Sequence, residues 1–186
     1  TAGSISPKIT LVVGFDKDSV IKESKNYNLE ISTADQPKPI GTGDAVRCGI
    51  TEVEDGSKVL VLYGDVPLIK KETLEELISS SDGGLSILTT TLEDPHGYGR
   101  VKKDDLGNAL AIVEEKDAST DEKNIKEIFT GVLCGQKELI DEGLAKLDNN
   151  NAAGEFYLTD LVSIISNKGF KIKTYNAPND EVKGAN

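Results

Sequence analysis

Short apolar runs recur along this chain, each bounded by turn residues, with amphipathic stretches between them. That alternation constrains the fold more than any other feature. "KITLVVGF" (residues 8–15) is apolar at successive positions, as a strand buried on both faces of a parallel sheet requires. "KVLVLYGD" (58–65) is the strongest such run, with "GLSILTTTL" (84–92), "KEIFTGVLCG" (126–135) and "FKIKTYNA" (170–177) after it and a weaker "NLEIST" (28–33) before it. Helical patterns separate them. "DKDSVIKESK" (16–25) has acidic residues in its first turn. A second pattern follows "QPKPIGTG" through Ala45, Val46, Gly49, Ile50 and Val53, and "KKETLEELISS" (70–80) places Leu74, Leu77 and Ile78 on one face. "QKELIDEGLAKL" (136–147) and "EFYLTDLVSIISNKG" (155–169) complete the set, the last with a glycine C-cap. "GYGRVKKDDLGNALAIVEEK" (97–116) alternates around a Leu-Gly-Asn turn and reads as a hairpin. The pattern predicts an α/β fold: a doubly wound, mostly parallel sheet with an antiparallel hairpin insertion. "NNNAAGE" (149–155) is too short to divide domains, so residues 1–186 read as one domain.

The bulk properties narrow the functions. With 186 residues, 37% hydrophobic and 28% charged, the chain can build one sizeable core. No apolar run approaches a membrane span, and no signal peptide opens the sequence. Cys48 and Cys134 are far apart with no CxxC or Cys/His cluster. A disulfide framework and a zinc site are therefore not expected, and a reducing, cytoplasmic compartment is. The net charge of −11 repels nucleic acid and anionic membrane. A phosphate substrate would need local cations or a bound metal to overcome that field.

Several segments carry two readings each. In "LYGDVPLI" (62–69), Asp65 follows an apolar run and precedes Pro67. It is either turn chemistry or a metal or substrate group at the carboxyl edge of the sheet, where open α/β folds bind ligands. "IGTGDA" (40–45) is either a helix cap using Thr42 or Asp44, or a backbone that closely approaches an anion or base edge. "DPHGYGRV" (94–101) is a loop requiring positive φ or a backbone wall against a sugar, and its His96, the sole histidine, reads as an exposed loop residue. In "IVEEKDA" (112–118), Glu114 is a solvated strand exit or an acceptor for sugar hydroxyls; in "GEFYLTD" (154–160), Phe156 and Tyr157 start a packed helix or line a site with Thr159.

Taken together, "QPKPIGTGDA", "LYGDVPLI", "DPHGYGRV", "IVEEKDA", "EIFTGV", "NNNAAGEFYLTD" and "EVKGAN" keep an order and spacing that resemble the uridyltransferase half of the bacterial bifunctional GlmU enzymes, along essentially the whole chain. The resemblance implies a Rossmann-like nucleotide-diphospho-sugar transferase. Its reaction would join UTP and N-acetylglucosamine 1-phosphate to give UDP-N-acetylglucosamine and pyrophosphate, a precursor of peptidoglycan and lipopolysaccharide. It implies that Gln36, Gly41 and Thr42 face the uracil, and that Tyr63, Gly64 and Asp65 lie under the nucleotide. Asp65 and Asn186 would hold a catalytic Mg²⁺, Gly99 and Glu114 would contact the sugar, and Tyr157 and Thr159 would line the sugar side. That chemistry suits the residues. The nucleophile is an ionised phosphate, so no general base is needed, and alignment with charge neutralisation carries the rate. One carboxylate and one amide suffice for Mg²⁺, which keeps waters and phosphates in its shell.

The sequence also departs from that family. Nothing in residues 1–186 matches its opening strand and Gly-rich, Arg-containing phosphate loop, and no methionine occurs, even at position 1. The chain is expected to start after that strand and helix, and to turn over feebly or not at all alone. Nor does it contain the acetyltransferase β-helix through which the family trimerises. Phe129 in "EIFTGV" stands where the family usually has a sugar-contacting Asn. Two alternatives stay open: a related transferase with another sugar or nucleotide, and a non-catalytic sugar-nucleotide binding module.

Overall fold

The computed structural model describes residues 1–184; Ala185 and Asn186 lie outside the described residues. A single turn, α1 (Ala2–Ile5), leads into β1 (Lys8–Val13), α2 (Lys17–Ser24) and β2 (Glu30–Asp35). β1 and β2 pair in parallel, from Lys8 opposite Glu30 to Val13 opposite Asp35. The middle of the chain gives α3 (Thr42–Ile50), β3 (Lys58–Val61), α4 (Lys71–Ser80), β4 (Leu85–Thr91) and the hairpin β5 (Arg100–Lys103) and β6 (Ala109–Val113). β7 (Glu127–Gln136), α5 (Lys137–Leu144), α6 (Asp160–Asn167) and β8 (Ile172–Asn176) close it.

β7 is the spine of the main sheet. β3 and β5 pair along one edge and β4 along the other, all antiparallel, and β8 joins β4 in parallel. β6 pairs β5 antiparallel. Hence β3, β4, β5 and β8 run one way while β6 and β7 run the other. The doubly wound α/β sheet is there, but among the described residues of the main sheet only β4 and β8 pair in parallel, and the antiparallel pairing extends from the hairpin to β7.

Alternation along the central strands builds two cores. Leu85 and Ile87 of β4 and Leu133 of β7 face α5 and α6, joining Ile140, Leu144, Leu161, Val162 and Ile165. Leu88, Val132 and Cys134 face the opposite way, onto Leu74 and Leu77 of α4. A period of two in the strands thus presents an apolar row to a helical layer on each side. Ser86 and Thr90 are buried inside β4, and their hydroxyls donate to the carbonyls of Leu77 (2.7 Å) and Ala177 (2.8 Å).

Three expectations are corrected. Residues 8–15 do not form a strand buried on both faces. Only Val13 of β1 is buried, because β1 pairs with β2 alone in a separate two-stranded sheet. The strongest apolar run, 58–65, gives only the four-residue, partly buried β3; its last four residues leave the ladder. Phe156 and Tyr157 do not start a helix. The Phe156 N–H donates to the Ile40 carbonyl (2.8 Å), and its own carbonyl accepts from Gly43 (2.8 Å). That extended pairing holds the segment back until Thr159, and α6 begins at Asp160.

Candidate active site

Tyr63 is the centre of the site. It follows β3 directly, and its ring lies on Gly131 of β7. A Cβ built on Gly131 would come 2.5 Å from the ring, and φ there is +87°. A glycine inside a strand is what such an approach requires. Burial pushes the Tyr63 phenol up, Thr42 opposes that by a hydrogen bond, and the Glu114 and Asp65 carboxylates add to the rise. One phenol therefore faces Thr42 and feels both carboxylates.

Beyond Tyr63 the chain turns. Gly64 and Asp65 form an exposed turn closed by the Val66 N–H on the Tyr63 carbonyl (3.3 Å). The turn reading of "LYGDVPLI" is thus correct as geometry, and it leaves the Asp65 carboxylate in solvent just past the carboxyl end of β3. Gly184 arrives beside it: a Cβ there would lie 3.8 Å from the Asp65 carbonyl oxygen and 4.0 Å from Asp65 Oδ2. Asn186, the other expected metal ligand, is outside the described residues, two positions further on.

The first group of expected site residues gathers around Gln36. Gln36 Nε2 donates to the Gly41 carbonyl (3.0 Å) and to Asp44 Oδ2 (2.9 Å), which leaves its own carbonyl as the acceptor. Gly41 has φ +125°, and any side chain there would enter the space of the Phe156 backbone. Neither Thr42 nor Asp44 caps α3, as the cap reading required: Gly41 holds the cap position with no side-chain bond. Thr42 Oγ1 instead accepts from the Leu158 N–H (3.2 Å), and Asp44 accepts from Gln36.

The second group gathers around Glu114. Glu114, just past β6, is not a solvated strand exit. It is largely buried, and burial raises its carboxyl against the opposing bond from Thr159 Oγ1 (2.9 Å). A Cβ on the buried Gly99 would sit 3.6 Å from either Glu114 carboxylate oxygen. Glu114, Gly99 and Thr159 therefore form one cluster. Glu114 and Tyr157 also line a cleft of about 430 Å³ with Asp117, Asp148 and Asp160. Tyr157 thus lines this cleft beside Glu114, while its backbone lies against Gly43 at the start of α3. His96 is exposed, as expected of a loop residue. Phe129 is buried in the core, and its N–H donates to the Gly99 carbonyl (3.0 Å).

Among the described residues no group of three or more acidic, histidine or cysteine side chains could enclose a metal. Mg²⁺ does not need one: it takes one or two protein oxygens and fills its shell with water and phosphate. The exposed Asp65 carboxylate, a hard oxygen donor, fits that demand. Sequence reasoning missed Gly131 and Gly184. A glycine inside the apolar run of β7 was the available signal for the first; the second had none.

An α/β sheet that gathers polar groups just past the carboxyl ends of its strands is of the Rossmann-like kind, which binds ligands there. The comparisons agree. The family model described as nucleotidyl transferase matches residues 14–177, and the chain belongs to that family. It is 42% identical over 188 residues to the bifunctional protein GlmU of Alcanivorax borkumensis, and 41% identical to that of a Psychrobacter species. In each case all of this chain matches about 41% of that protein's length. The chain thus spans about two-fifths of these curated relatives. In fold it resembles a nucleoside-diphosphate-sugar pyrophosphorylase from Vibrio cholerae, with a TM-score of 0.73, 16% identity and coverage of 99% of this chain and 78% of that one. It also resembles HddC from Yersinia pseudotuberculosis, with a TM-score of 0.65, 20% identity and coverage of 91% and 69%. No helix among the described residues is long and apolar enough to cross a membrane.

Proposed function

We propose that this domain transfers a uridylyl group from UTP to N-acetylglucosamine 1-phosphate, releasing pyrophosphate and forming UDP-N-acetylglucosamine. The observation that carries the reading is that the buried Tyr63 phenol bonds Thr42 and feels the Asp65 and Glu114 carboxylates, while Gln36 bonds the Gly41 carbonyl and Glu114 meets Thr159 and Gly99. Gln36, Gly41 and Thr42 receive the uracil, the Gln36 carbonyl accepting from the ring N–H. The Tyr63–Asp65 segment lies under the nucleotide. Glu114, its geometry fixed by Thr159, accepts from sugar hydroxyls, and the Gly99 backbone lets the sugar approach it. Tyr157 borders that end.

Asp65, with Asn186, is the place for Mg²⁺, which when bound supplies charge neutralisation on the phosphates. The chain's own residues do the rest by alignment. The sugar phosphate is already ionised, so no side chain has to take its proton, and neither Ser-His nor Cys-His pairing is called for. A related sugar 1-phosphate is the second reading. Phe129 favours it, because its buried phenyl, whose backbone N–H bonds the Gly99 carbonyl, offers no hydrogen bond to an N-acetyl group.

Asp65→Asn tests the assignment. It removes a surface carboxylate from a turn, so the expected outcome is unchanged folding with Mg²⁺-dependent binding of UDP-N-acetylglucosamine weakened at least about 10-fold. Equal binding by both proteins in calorimetry would refute the role of Asp65.

A further inference from the structure

Glu181 is a carboxylate that the proposed reaction does not use, and it is buried, only 5% exposed. A buried carboxylate must be paired and hydrogen-bonded to persist. Glu181 is: Thr73 Oγ1 donates to it at 2.6 Å, Lys70 Nζ at 2.9 Å and the Lys70 backbone N–H at 3.4 Å. These bonds hold its carboxyl below the usual range, the one from Thr73 most strongly.

The place of these donors matters. Lys70 is the cap residue of α4, and its own side chain makes no capping bond; Thr73 lies in the first turn. Glu181 therefore caps α4 from 111 positions away in sequence, placing a negative charge where the helix dipole favours one. Two segments meet at this carboxylate. The first runs from the Asp65 turn through buried Ile69 into α4. The second runs from Glu181 through buried Val182 to Gly184, which lies beside Asp65. Val182 packs in one cluster with Ile69, Leu62 and Val66, so the two segments also share an apolar contact.

We infer that Glu181 is a positioning residue: it fastens the 181–184 segment to the start of α4 and so fixes the backbone beside Asp65 where the phosphate-bound metal is to sit. The inference rests on the metal reading of Asp65, and the test separates the two. Glu181→Gln keeps the shape but removes the charge; Thr73→Val removes the shortest bond and keeps Glu181. Both are compared with the unaltered chain by titration with UDP-N-acetylglucosamine, with and without Mg²⁺, and by hydrogen exchange of the metal-free protein. The expected result is a loss of about 10-fold or more in the affinity gained from Mg²⁺, the range that removing an outer support costs at metal sites. Affinity without Mg²⁺ should stay within about twofold, since the base- and sugar-facing sets are untouched. The amides of 182–184 should exchange faster while those of β4 and β7 do not.

If both affinities fall together, or neither changes, Glu181 is only structural and the inference fails. If Glu181→Gln does not fold, Thr73→Val decides. If the unaltered chain binds the nucleotide sugar but gains nothing from Mg²⁺, the metal reading of Asp65 fails and this inference falls with it. Retention of the Mg²⁺ gain in the variants alone overturns Glu181 and leaves Asp65 standing.

Discussion

Gly131 has φ +87° and carries the Tyr63 ring, whereas Gly83 has φ +78° with open space around it. The pair separates backbone strain from close approach. Gly83→Ala is expected to cost about 1 kcal/mol, the penalty of a left-handed alanine. Gly131→Ala adds displacement of Tyr63 and is expected to cost about 2–3 kcal/mol in denaturant unfolding, with weaker nucleotide-sugar binding besides. Equal losses for both would mean that the ring does not rest on Gly131. At this scale the sequence was readable where residue type and chemistry coincide. Gly41, Thr42, Asp65, Gly99, Glu114 and Thr159 stand out as polar or glycine residues in segments that carry two readings each, while Gln36 is pointed to only by the family resemblance. Gly131 and Glu181 do not, because a glycine in a strand and an acid in a tail take their meaning from neighbours far away in sequence.

Among the elements, α6 is the one whose beginning the sequence misplaced. Apolar spacing from Phe156 onward fits a helix, but the backbone exchange of Phe156 with Ile40 and Gly43 wins, and Asp160 becomes the first helical residue. That start leaves Asp160 half-buried. Burial, then Asp148, Glu114 and Asp117, push its carboxyl from 3.8 up to about 6. A carboxyl that holds its proton more tightly folded than unfolded makes stability fall as pH rises between those two values, and the deficit persists above them. Asp160→Asn removes the penalty. Its melting temperature is expected to exceed the unaltered protein's at pH 7.5, with the gap closing near pH 4. A gap that widens as the pH is lowered would contradict this sign. β3 teaches the converse: an apolar run predicts that a segment is strand-like and says little about how many residues join a ladder.

At the scale of the whole molecule, the helix-strand alternation was enough for the α/β class and for helices on both faces of the sheet. It was not enough for strand direction. β7 reads like any other buried strand, yet it runs against β3, β4 and β5, since hydrophobic pattern reports burial and not polarity. Nor did it separate β1 and β2 from the main sheet. The two cores and the reversed β7 together bring the residues past the ends of β3 and β6 to one phenol that rests on Gly131 inside β7. The net charge of −11 opposes every phosphate that would bind there. The account therefore turns on whether a divalent cation overcomes that repulsion at Asp65. Calorimetric titration of the chain with UDP-N-acetylglucosamine, in the presence and absence of Mg²⁺, tests this most directly. Binding that strengthens with Mg²⁺, and that loses this gain in Asp65→Asn, is the predicted result. Binding of equal strength in both conditions, or no binding in either, would contradict it.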